Sequence, residues 1–226
     1  EFIVNWKNDG QEIKEYRDFK NSVLTSNMGV AGLPFIFKKN ITWSKISSGN
    51  FSVRKLDEGF LFDVSGCSIY EDDLVDKLLP LLNSKVITSL LKEISPTLNY
   101  EVGHIKALPI INFDFDLASE TNTCISLSKD DWDKSETSWG FEANQLIKLK
   151  SDNIEEATDL YKQYWKIKFS KLHQIEEELN QHFIGIYGLQ DELTPDVPLE
   201  DITILKEEAS IVNGQLVFDQ KEIFSQ

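Results

Sequence analysis

Thr42-Trp43-Ser44-Lys45-Ile46-Ser47-Ser48-Gly49-Asn50-Phe51-Ser52-Val53-Arg54 sets large apolar side chains on alternate positions to either side of a cluster of small turn-forming residues. A period of two is that of a strand with one buried face, and Ser47-Ser48-Gly49-Asn50 is a turn signal. The segment therefore predicts strand, turn, strand. The same period extends outward, to Phe35, Phe37 and Ile41 before it and to Phe60, Phe62 and Val64 after it, with Asp57-Glu58-Gly59 as a second turn. A small antiparallel sheet is expected over 35–65.

Further out the period changes. Phe2 to Trp6 reads as a short strand, Gly10 to Phe19 as a helix, and Asn21 to Pro34 as a loop. From Asp72 to Ile94, Leu74, Leu78, Leu81, Leu82, Val86, Leu90 and Ile94 recur every three or four residues, the spacing of a helix. Glu71, Asp72 and Asp73 suit its positive end, and Pro80 is expected to break or kink it. Leu108 to Phe113 is a strand candidate, and a polar segment follows to about Ser151. Tyr161, Trp165, Phe169, Leu172, Ile175, Leu179 and Phe183 then form one apolar stripe on a long helix that ends within Gly185 to Gly188. Ser210 to Phe218 around Asn213-Gly214 predicts a hairpin with a primed turn. The fold class expected is α+β: a small antiparallel or mixed sheet with packed helices, followed by a mostly helical module with one long amphipathic helix.

The 226 residues carry a formal charge of −15, which as a whole repels phosphate. Its distribution is uneven. Residues 1–110 hold 13 basic against 14 acidic side chains, and residues 111–226 hold 10 against 24. Between Phe19 and Leu56 there is no Asp or Glu, while Lys20, Lys38, Lys39, Lys45, Arg54 and Lys55 all fall there. No apolar run approaches the roughly 20 residues of a membrane span, and no signal segment opens the sequence, so a cytoplasmic protein with no membrane partner is expected. Because residue 1 is Glu and the one methionine is Met28, a piece of a longer polypeptide is expected. Cys67 and Cys124 lie far apart and are expected as buried free thiols. His104, His173 and His182 form no ligand pair, so no structural metal is expected.

Catalytic signatures are missing. An adenine methyltransferase holds the flipped base's amino group with an Asn or Asp followed by Pro-Pro and an aromatic, and all six prolines here are isolated. There is no glycine-rich strand-to-helix turn for a nucleotide, no phosphate-binding loop and no nucleophile elbow. Asp131-Trp132-Asp133-Lys134 and Glu12-Ile13-Lys14 have the flavour of a nuclease, but such matches arise by chance among 38 acidic residues. No catalytic, cofactor-binding or metal residues are expected. The constellation that remains is the segment 42–54. It reads either as a plain surface hairpin or as one presenting Lys45 and Arg54 to phosphates and Ser47, Ser48 and Asn50 to base edges. The candidate DNA contacts are Lys38, Lys39, Lys45, Ser47, Ser48, Asn50, Arg54 and Lys55. Trp43 and Phe51 are expected in the hairpin core, Asn83, Ser84 and Lys85 on a polar helix face, Asn99 and Tyr100 in a structural turn, and Glu176-Glu177-Glu178 on a solvated helix face.

This segment, with Phe60-Leu61-Phe62-Asp63-Val64-Ser65-Gly66, Leu82-Asn83-Ser84-Lys85-Val86 and Pro96-Thr97-Leu98-Asn99-Tyr100-Glu101-Val102-Gly103, resembles the C-terminal region of the PglX-type adenine-N6 DNA methyltransferases of BREX phage-defence systems. These are relatives of single-chain restriction-modification enzymes. Leu108-Pro109-Ile110, Asp131-Trp132-Asp133, Glu136-Thr137-Ser138-Trp139 with Phe141, and Ile186 to Pro195 extend the resemblance over nearly the whole chain. His104 and the stretch 140–144 depart from it. The resemblance implies a target recognition domain over 1–115 and a helical spacer over 116–226. It also implies double-stranded DNA as partner, and a methyltransferase domain elsewhere in the same polypeptide that uses S-adenosylmethionine. The alternative is an interaction module docking that catalytic domain, another defence protein or a phage inhibitor.

Overall fold

In a computed structural model the residues described are 3–24, 32–70, 75–111 and 116–224, the side chains of 21–24 excepted. The architecture is mixed α and β. Helix α1 (Lys7–Leu24) is followed by β1 (Asn40–Ser44), β2 (Arg54–Leu56) and β3 (Gly66–Ile69). Next come α2 (Val75–Leu82), α3 (Lys85–Ile94) and α4 (Val102–Lys106), then α5 (Ala118–Trp132), α6 (Gln145–Lys148) and α7 (Ile154–Tyr187). The hairpin β4 (Ala209–Val212) and β5 (Gln215–Phe218) and the short α8 (Gln220–Ile223) close the chain. Among these residues no helix is long and apolar enough to cross a membrane.

The predicted sheet is antiparallel with β1 in the centre, in the order β2-β1-β3. Asn40 pairs with Leu56 and Thr42 with Arg54 on one side; Ile41 pairs with Ile69 and Trp43 with Cys67 on the other. Ile41 and Trp43 point into the core, and α2 packs against β1 and β2. The strands are shorter and differently placed than the aromatic pattern predicts. Phe35 ends a 3-10 turn and Phe37 has a φ of 63°, which excludes an extended strand there, although its backbone still pairs with Gly59 and Phe60. At 60–64 the ladder is lost because the Asp63 carboxylate accepts from the Ser65 and Gly66 amides (2.8 and 3.1 Å), and the turn so formed delays β3 to Gly66. Phe51 and Val53 are buried yet lie outside any strand.

Other expectations need correction. Residues 3–6 are irregular and form no strand, and Asn8, Asp9 and Gly10 have positive φ, so the right-handed part of α1 begins after them and runs beyond Phe19 to Leu24. Most of the predicted loop, 25–31, and the acidic turn 71–73 lie outside the described residues, as does Leu74. Pro80 sits inside α2; the break comes after it, at Asn83, where buried Ser84 caps α3 by accepting from the Ile87 amide (3.4 Å). Residues 108–111 are not a strand, and 112–115 are outside the described residues. The polar segment hides α5, whose inward residues include Thr121 and the half-buried Cys124.

Helix α7, 34 residues and roughly 50 Å long, spans both hydrophobic cores. Its second half, with Ile175, Leu179, Phe183 and Ile184, packs with the sheet, α2 and α3. Its first half, with Tyr161, Trp165, Phe169 and Leu172, packs with Leu127 of α5, Ile202, Ile204, Leu205 and Ile223. Every residue of the predicted stripe is buried. Gly188 ends the helix with a φ of 67°, a left-handed cap that favours glycine. The predicted hairpin is also present, with Asn213 and Gly214 at φ of 51° and 72° and Val212 paired to Gln215.

The second core contains charge. Glu208 is fully buried, accepts from the Tyr161 hydroxyl (2.6 Å) and pairs with Lys134 (3.0 Å). Lys134 also pairs with Asp131 (2.8 Å), which accepts from the Leu205 amide (3.0 Å), and lies 4.9 Å from the Trp165 ring centroid. Burial raises the Tyr161 pKa, with Glu208 adding to it. Asp131 and Lys134, singled out above for a nuclease-like spacing, thus join α5, α7 and the C-terminal segment. The run at 176–178 is not a uniformly solvated face. Glu176 and Glu177 are half-buried, and burial pushes the Glu176 carboxyl up to about 7, with His173 opposing and Asp201 reinforcing the shift.

Candidate nucleic-acid interface

The loop joining β1 to β2 is held at both ends and open at its tip. On one side the Tyr100 amide donates to Lys45 O (2.7 Å), the Ser47 amide to Leu98 O (3.0 Å), and the Trp43 indole to Tyr100 O (2.8 Å). On the other, the Asn83 side chain grips the Val53 backbone as a neighbouring strand would. Its Oδ1 accepts from Val53 N (2.9 Å) and its Nδ2 donates to Val53 O and Leu79 O (both 3.0 Å). Lys85 Nζ donates to Thr194 O (3.3 Å) and Asp196 O, and its amide donates to Asn180 Oδ1 (2.9 Å). Asn83, Ser84 and Lys85, expected on a polar helix face, instead tie the loop, α3, α7 and the 194–196 segment into one junction. Asn99 and Tyr100 lie in the segment that pairs with the loop, Asn99 bridging Ile46.

Between these anchors the alternation in the sequence survives without a ladder. Trp43, Phe51 and Val53 are buried, while Ser44, Ile46, Ser48, Asn50, Ser52 and Arg54 are all exposed. Phe51 packs against Trp43 and Tyr100, at ring-centroid distances of 6.1 and 5.1 Å. The outward row is therefore small hydroxyls, one amide, one isoleucine and one guanidinium on a rigid apolar backing.

The eight candidate residues fall into three groups. Lys38, Lys39 and Arg54 are exposed and have no carboxylate partner among the described residues; Arg54 donates only to Ser52 Oγ (3.1 Å). Lys45 is paired with Glu101 (3.0 Å) and Lys55 with Asp76 (3.3 Å). Partly exposed pairs of this kind are worth about 0–1 kcal/mol, so an exchange of carboxylate for phosphate costs little. Ser48 and Asn50 stand open at the tip, whereas the Ser47 hydroxyl accepts from the Gly49 amide (3.2 Å) and shapes the turn. Sequence reasoning did not reveal the two acidic partners, because they come from α2 and from the turn before α4.

It also missed a groove of about 620 Å³ between the loop tip, α3 and residues 95–100, whose lining includes Thr88, Lys92 and Thr97. No local pattern marks these side chains; only the pairing of 45–47 with 98–100 brings them under the loop. The groove does not fit S-adenosylmethionine, the cofactor that the resemblance implies. A ligand with a sulfonium and an ammonium would meet Lys92 and, among the described residues, no lining carboxylate. No group of three or more His, Cys, Asp or Glu that could hold a metal is present among the described residues.

No protein-family profile matches the chain. Individual relatives do. It is 36% identical over 211 residues to the adenine-specific methyltransferase PglX of Lacticaseibacillus casei (strain Zhang), an alignment covering 90% of this chain and 17% of that protein. It is 33% identical over 205 residues to the adenine-specific methyltransferase BrxX of Escherichia coli O9:H4 (strain HS), covering 88% of this chain and 16% of that protein. Over almost its whole length the chain is thus homologous to one segment, about a sixth, of two much longer adenine-specific methyltransferases.

Proposed function

We propose that this chain is the DNA target-recognition part of an adenine-specific DNA methyltransferase in phage defence, of the BREX or restriction-modification kind, and that methyl transfer with S-adenosylmethionine belongs to another part of that enzyme. The observation that carries the reading is the exposed row Ser44 to Arg54, set in a stretch free of carboxylates between Phe19 and Leu56, in a chain homologous to adenine-specific methyltransferases. Lys38, Lys39 and Arg54 contact phosphates directly; Lys45 and Lys55 do so by leaving Glu101 and Asp76. Ser48 and Asn50 read base edges, with Ser47 shaping the turn between them. Residues 1–115 serve as the recognition part and 116–226 as the helical spacer, the two sharing the core along α7. The enzyme works in the cytoplasm on double-stranded DNA, its catalytic domain carried on the same polypeptide.

The test is Lys38→Glu with Lys39→Glu and Arg54→Glu in the full-length enzyme. Duplex affinity should fall at least about a hundredfold at low salt, with S-adenosylmethionine affinity retained. Unchanged duplex affinity with normal folding rejects the reading.

A second reading is favoured by one observation on the acidic half: Trp132 and Trp139 are 64% and 70% exposed. Exposed indoles of this kind are typical interface anchors, and their partner would be the catalytic domain, another defence protein or a phage inhibitor. Trp132→Ala with Trp139→Ala should then weaken assembly while leaving duplex binding intact; unaltered assembly rejects this second reading.

A further inference from the structure

The groove beneath the loop tip shares Ser48 and Asn50 at its rim with the DNA contacts proposed above, and its other lining residues are not used by them. Its volume, about 620 Å³, lies within the range of small-molecule sites, roughly 300–1,000 Å³. Its accessible wall is the half-buried Tyr100 ring with exposed Pro96 alongside, backed by the buried Phe51, whose ring centroid lies 5.1 Å from that of Tyr100, and by buried Leu91. Its rim carries the Asn50 amide and the Thr88 and Thr97 hydroxyls. Lys92 is the one charged side chain lining it and has no ion-pair partner among the described residues.

These features narrow the ligand by elimination. A cation would face Lys92. A wholly apolar molecule would strip water from the rim groups without replacing it. A ligand with a flat heterocycle for the aromatic wall, hydrogen-bonding edges for the rim and an anionic end for Lys92 satisfies all three. We propose that the groove binds one nucleotide, its base against Tyr100 and its phosphate at Lys92. Lys92 stands in the last turn of α3, where the helix dipole disfavours an anion, so affinity depends steeply on that one ammonium. The nucleotide comes either free from solution or unpaired from a DNA strand lying on the loop; the second source rests on the DNA-contact reading, the first does not.

The test uses the full chain and three probes: adenosine monophosphate, a paired duplex, and the same duplex with one unpaired adenosine. Binding is followed by amide NMR shifts of residues 48–51 and 88–100. Adenosine monophosphate should bind with a dissociation constant on the order of 0.1–1 mM. Lys92→Glu should weaken it at least about tenfold, and Thr88→Trp, which fills the groove, should abolish it. Lys38→Glu with Lys39→Glu should leave it unchanged while weakening both duplexes. Thermal melts check that each variant folds, and Thr97→Ala, expected to weaken binding about threefold, serves if Thr88→Trp does not. A preference of about fivefold or more for the unpaired duplex, lost in Lys92→Glu, identifies the strand as source. Binding of the mononucleotide without that preference identifies the free nucleotide. If neither probe shifts the groove signals at 10 mM mononucleotide (about ten times the weakest expected constant) and saturating duplex, the proposal is overturned, even where the paired duplex still binds through 38–54.

Discussion

The sheet-bearing half and the helical half of this molecule place charge in opposite ways. Around β1 the interior is Ile41, Trp43, Phe51, Val53, Leu81 and Val86, while Lys38, Lys39 and Arg54 are exposed without a carboxylate partner among the described residues and Lys45 and Lys55 hold partly exposed pairs. Around the first half of α7, in a half that holds 24 acidic against 10 basic side chains, a lysine and two carboxylates are drawn inward onto Tyr161 and Trp165. Charge held at the surface is free to exchange for a partner's; charge that is buried and fully engaged can only hold the fold. The contrast supports the proposed division, in which the first half contacts DNA and the second braces it.

The largest effect should come where the halves meet. Phe183 is 0% exposed in the core that joins α7 to the sheet and α3, so Phe183→Ala should cost about 3–5 kcal/mol in chemical denaturation. If the halves stood apart, a transition confined to one of them would appear instead of a single cooperative one. Next is the buried ion network. Glu208→Ala leaves the buried Tyr161 hydroxyl without its acceptor and Lys134 with Asp131 alone, and should cost about 3 kcal/mol, whereas Glu101→Ala, which frees Lys45 at the surface, should cost under about 1 kcal/mol. Equal costs for the two would erase the contrast between buried and surface pairs.

Asn83→Ala leaves the Val53 amide and carbonyl without their partner, and should cost about 1–3 kcal/mol while loosening the loop between β1 and β2. Its distinguishing readout is faster hydrogen exchange confined to 45–54. The smallest effect is one of pH. The Glu176 carboxyl is raised from 4.5 to about 7, so the folded state binds the extra proton between those values. Stability should therefore fall as pH rises through that window and level off above it. Glu176→Gln should remove the slope and stabilise the protein at pH 8 (above the window) by about 1–2 kcal/mol. A slope that persists in the variant would assign it to other groups.

Long-range contacts divide what was legible in the sequence from what was not. The α7 stripe was readable because seven large apolar residues recur at one helical period, and the β4–β5 hairpin because Asn213-Gly214 suits the turn geometry by itself. The burial alternation over 43–54 was readable too, but strand positions were not, since a local Asp63 turn and a positive φ at Phe37 override the aromatic pattern. Helix α5 was missed because its inward face includes Thr121 and Cys124. The basic island was visible as an absence of acids; the pairing of Lys45 with Glu101 and Lys55 with Asp76, the clamp from Asn83 and the groove under the loop all depend on tertiary contacts.

The salt dependence of duplex binding tests the central claim most directly. In the full-length enzyme, Lys38→Ala with Lys39→Ala and Arg54→Ala should reduce the slope of log affinity against log salt by about 2.7, close to 0.9 for each phosphate contact removed. A slope and affinity identical to the unaltered enzyme would place the DNA on another surface.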